Sequence, residues 1–104
     1  MKNKKTYKEQ YTEALNLLIE QISNEFEKLT GTREIKDIPK ITERLLKNKS
    51  RIGMERMIEY LSELFANYLL NVVDDNTFEL AIQDRKRIME YLGVPILQRK
   101  PFKE

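Results

Sequence analysis

The sequence predicts an all-α fold: a small four-helix domain, bundle-like or orthogonal, with one short helix and an extended C-terminal tail. Three observations carry this. Apolar residues recur every three or four positions over long stretches. Only three Gly and three Pro interrupt the 104 residues. Capping residues stand where the periodic stretches begin and end. At this length the chain makes a single helical domain, 1–104, with about 1–5 and 98–104 expected to be flexible.

The first helix is expected from about Tyr7 to Leu29, with Tyr7, Tyr11, Ala14, Leu15, Leu18, Ile22, Phe26 and Leu29 facing inward. Thr6 and Glu9 have capping-box spacing at its start, and Gly31 supplies a left-handed end. Residues 31–36 read as a loop. Asp37 caps a shorter second helix that tolerates Pro39 in its first turn. Ile38, Ile41 and Leu45 form its stripe, with Leu46 beside it. Its shortness argues against a regular bundle.

Ser50 is the N-cap of a third helix, from about Ile52 to Val72. Met54, Met57, Ile58, Leu61, Leu64, Phe65, Tyr68 and Val72 form its stripe, widened by Leu69 and Leu70. As the most apolar helix, it belongs at the centre of the core. Asp74-Asp75-Asn76-Thr77 is a turn and cap; its adjacent acids lack the spacing and the Gly of a calcium loop. The fourth helix runs from about Phe78 to Leu92, with Phe78, Ala81, Ile82, Ile88, Met89 and Leu92 inside. Gly93 ends it and Pro95 keeps it from resuming. Val94, Ile96 and Leu97 then follow in extended chain, where they are expected to dock on the bundle.

Several function classes are excluded or made remote. There is no Cys and no His. Disulfides, thiolate catalysis, Cys-based metal sites and imidazole acid–base chemistry are therefore ruled out. No phosphate-binding loop, dinucleotide fingerprint or nucleophile elbow occurs. The expectation is a non-enzyme with no cofactor and no metal. Met1-Lys2-Asn3-Lys4-Lys5 has no apolar segment behind it, and no apolar run approaches the roughly 20 residues of a membrane span. A cytoplasmic protein without integral membrane insertion is the corresponding expectation.

The net charge is only +2, but it is unevenly spread. Lys40, Arg44, Lys47, Lys49 and Arg51 cluster around the second helix against the single acid Glu43. The third helix beyond Ile58 has acids and no bases. The basic cluster could contact phosphates, although the following Asn48-Lys49-Ser50 lacks the Gly of a helix-turn-helix. Arg85 falls near an apolar stripe, placed either to pair with Glu59 or Glu63 or to project toward a partner. Tyr60 and Tyr91 fall off the stripes, and exposed tyrosines anchor interfaces. Phe102 is the apolar residue of the polar terminal segment and a candidate partner contact.

These features lead to a non-catalytic protein acting by binding a protein partner, as an adaptor, an inhibitor or a phage- or plasmid-type effector. The alternative is a DNA- or RNA-binding accessory protein using Lys40–Arg51. Homo-oligomerisation stays open. In size, basic character, helix layout and the tail after the last helix, the chain resembles the small helical immunity proteins that protect bacteria from peptide bacteriocins. That resemblance implies a helical fold and an inhibitory protein-binding role.

Overall fold

Residues 5–73 and 78–96 are described by a computed structural model. Helix α1 (Tyr7–Thr30) opens on a complete capping box: Thr6 Oγ1 accepts from the Glu9 amide at 3.1 Å, and Glu9 Oε1 accepts from the Thr6 amide at 3.0 Å. It closes at Gly31, whose amide donates to the Glu27 carbonyl at 2.8 Å and whose left-handed φ of 82° turns the chain out of the helix. Helix α2 spans Ile38–Leu46. Asp37 stands at its N-cap as expected, but in a left-handed conformation (φ 57°) and without a side-chain cap. Helix α3 (Arg51–Val73) starts where Ser50 Oγ accepts from the Gly53 amide at 3.1 Å. Helix α4 spans Phe78–Leu92. Past it, the Gly93 amide donates to the Glu90 carbonyl and the Val94 amide to the Met89 carbonyl, both at 3.0 Å. That pair of bonds is a Schellman motif, and it fixes how the tail leaves.

Contacts at opposite ends of each helix set the directions. Arg51 sits over Tyr7 and Phe26 meets Tyr68, so α1 and α3 run the same way. Tyr60 meets Tyr91 and Asn71 meets Asp84, so α4 runs against α3. Ser23 bonds the Ile35 carbonyl, Glu34 pairs with Arg85, and Arg44 donates to the Leu92 carbonyl. The segment from Gly31 to Leu46 therefore runs back along α1 and alongside α4. The order is up-down-up-down, despite the short α2. Residues 31–37 make up the missing length: extended chain covers up to about 23 Å. The nine residues of α2 add about 14 Å, matching the rise of about 36 Å of α1. Arg33 pins this extended half to α1 through Glu20 at 2.9 Å and Glu27 at 3.3 Å.

The core gathers Leu15, Ile19, Ile22 and Phe26 of α1, Ile35 of the extended segment, and the inner faces of the other helices. Four expectations are corrected. Tyr7 and Ala14 are exposed while Ile19 is fully buried, because the buried stripe of α1 follows the faces met by α2 and α3. Ile35 is buried although no periodicity marks it. Val72 is not part of the buried stripe and Leu69 and Leu70 do not widen it; all three are exposed at the end of α3, as is Val73. Arg85, expected to pair with an acid of α3 or to project toward a partner, is buried, as is its neighbour Asp84. Val94 and Ile96 pack against the core as expected. Asp74-Asp75-Asn76-Thr77, Leu97 and residues 98–104 lie outside the described residues. No helix among the described residues is long and apolar enough to cross a membrane.

Candidate functional site

An open groove of about 870 Å³ lies between the first half of α1, helix α2 and the chain just past α4. The amphipathic α2 turns Ile38, Ile41, Thr42 and Leu46 inward and leaves Lys40, Glu43, Arg44 and Lys47 outside. Lys8, Thr12 and Asn16 form the α1 wall, and Gly93, Val94 and Pro95 the opposite one.

Arg44 joins two walls. Its guanidinium donates to the carbonyl of Leu92, one that the Schellman bonds leave over. It also lies against Gly93, where a Cβ would come within 2.7 Å of Nη2. The φ of 72° calls for glycine at Gly93, and a side chain there would also press on the end of the Arg44 side chain. Asn16, on the other wall, presents a buried Oδ1 that makes no hydrogen bond among the described residues. The groove carries five basic residues, Lys8, Lys36, Lys40, Arg44 and Lys47, against Glu34, Asp37 and Glu43.

The expected basic cluster is therefore divided. Lys40, Arg44 and Lys47 line the groove. Lys49 is exposed outside its lining, and Arg51 stands 5.9 Å from the Tyr7 ring centre. Lys8, Lys36 and Asn16 were not legible as members, because they come from segments far apart in sequence. Tyr60 is exposed and Tyr91 half-buried. They form one edge-to-face pair across α3 and α4, centroids 5.0 Å apart. Burial, then the neighbouring Tyr60, raises the pKa of the Tyr91 phenol.

Arg85 pairs with neither Glu59 nor Glu63, and it does not project outward. It forms a buried ion pair with Glu34 and lies over Phe26 at 5.8 Å. The extended segment passes α4 at that level, and a buried guanidinium takes the carboxylate that arrives with it. Phe102 lies outside the described residues. Among the described residues no group of three or more acids could hold a metal ion. No protein-family model, no curated protein and no solved structure matches the chain.

Proposed function

We propose that this chain is a non-catalytic protein that works by binding a protein partner, with the groove as its binding site. One observation carries the reading: a concave surface combines a basic rim with apolar wall residues, Pro39, Val94 and Pro95, and an unsatisfied amide oxygen at Asn16. Mixed apolar and polar contacts of this kind characterise protein interfaces. An inhibitor or adaptor needs nothing further, and the four-leg layout with a tail is in keeping with the resemblance to immunity proteins.

Nucleic-acid binding is the alternative, favoured by the exposure of Lys40, Lys47 and Lys49. It fits the groove less well. Asp37 and Glu43 stand among the bases, and no aromatic side chain lines the groove among the described residues. Affinity capture from the native cell separates the two, using wild type and Lys40→Glu/Lys47→Glu, with and without nuclease. Protein recovered despite nuclease, and lost in the variant, supports the proposal. Recovery that nuclease abolishes overturns it in favour of the alternative.

A further inference from the structure

We propose that the groove takes an extended acidic peptide segment, an inference that rests on the protein-binding reading above. Charge points first to the sign of the occupant. One of the three wall acids, Glu34, is already neutralised by Arg85. Lys8, Lys40 and Lys47 are exposed and enter no ion pair among the described residues. The surplus positive charge faces solvent and is available to carboxylates.

Dimensions point next to the backbone. From Lys8 to Asn16 the α1 wall is about 12 Å long. A helix spends its backbone amide groups on its own i to i−4 bonds and would leave Asn16 Oδ1 without a donor. Extended chain of about four residues spans the same wall and is far thinner. It also offers backbone amide groups to Asn16, whose side chain can both accept and donate.

The chain's own terminal segment is the wrong occupant. Residues 97–104 carry Arg99, Lys100 and Lys103 against Glu104, so basic tail would meet basic groove.

The test uses the isotope-labelled full chain. Amide shifts and binding are followed with a short Glu-rich peptide bearing apolar residues at alternate positions. Its Gln-for-Glu and Lys-for-Glu counterparts and a single-stranded oligonucleotide are the comparisons. The Glu-rich peptide should shift the amides of Asn16, Lys40 and Lys47. Its affinity should fall about tenfold or more in Lys40→Glu/Lys47→Glu and decline with salt. Circular dichroism checks that this variant folds, and Lys8→Glu replaces it if it does not. Asn16→Leu should weaken binding several-fold with the salt dependence retained. Equal binding of the Gln peptide, or preference for the Lys peptide, overturns the acidic occupant and leaves protein binding standing. Groove binding by the oligonucleotide alone overturns both. Binding that requires removal of residues 97–104 makes the tail the occupant and overturns the inference, as does the absence of binding by every probe.

Discussion

Arg85 shows how one residue can be found in a sequence and still be misread. Its place near an apolar stripe is visible, but its partner is 51 residues away, in a segment that looks like a surface loop. A guanidinium cannot shed its proton, so it must be paired once buried. Glu34→Gln should therefore cost about 3–5 kcal/mol in urea unfolding. Glu34→Leu/Arg85→Met should recover most of that loss, because no charge is then stranded. A small effect of the single substitution would show that water reaches the pair. Tyr68 gives a second measurement. Burial, then Glu25, pushes its phenol from 10.0 up to about 12, against an opposing effect of Arg85. The folded state thus holds the proton more tightly than the unfolded chain. This contribution is complete below pH 10 and is lost as pH rises through about 12. Tyr68→Phe should flatten the fall in stability over that window, and tyrosinate absorbance should lose its latest-titrating component.

Helices were legible because their ends are written in local chemistry. Thr6 with Glu9, Ser50, Gly31 and Gly93 all act where their residue types require. Burial was less legible, because it depends on which neighbour each face meets. Ile19 and Tyr7 both lie on plausible stripes of α1, yet only Ile19 is covered. Of the groove only the basic cluster on α2 was legible, since its walls come from three separate segments and no local pattern unites them. The end of α4 offers the test at this scale. Gly93→Ala imposes a left-handed conformation on Ala, costing about 1–2 kcal/mol. Its Cβ also crowds the Arg44 guanidinium. Arg44→Ala alone should lose the bond to the Leu92 carbonyl, about 1 kcal/mol or somewhat more for a charged donor, and speed amide exchange in the last turn of α4. Together the two substitutions should cost less than their sum, because the crowding disappears with the guanidinium. Additive costs would mean that Arg44 moves aside freely.

At the scale of the molecule, the four legs hold one another in a ring, with α1 against α2 and α3, and α4 against α3 and the returning segment. The chain past α4 completes this arrangement: Val94 and Ile96 pack on the core while Val94 and Pro95 also wall the groove. Alternation in the extended tail made that docking legible, since Val94 and Ile96 share one side of it. Stability and the proposed binding are therefore linked through Val94. Each side chain is only partly covered, so the two together contribute about 1–2 kcal/mol, less than full burial would give. Val94→Ala/Ile96→Ala should lower Tm by roughly 5–15 °C. Val94→Ala alone should also weaken the proposed binding in the groove, whereas Ile96→Ala, outside the lining, should change Tm with little effect on binding. An unchanged Tm in the double variant would detach the tail from the core. Equal losses of binding in the two single variants would show that the tail acts on the groove through folding stability alone.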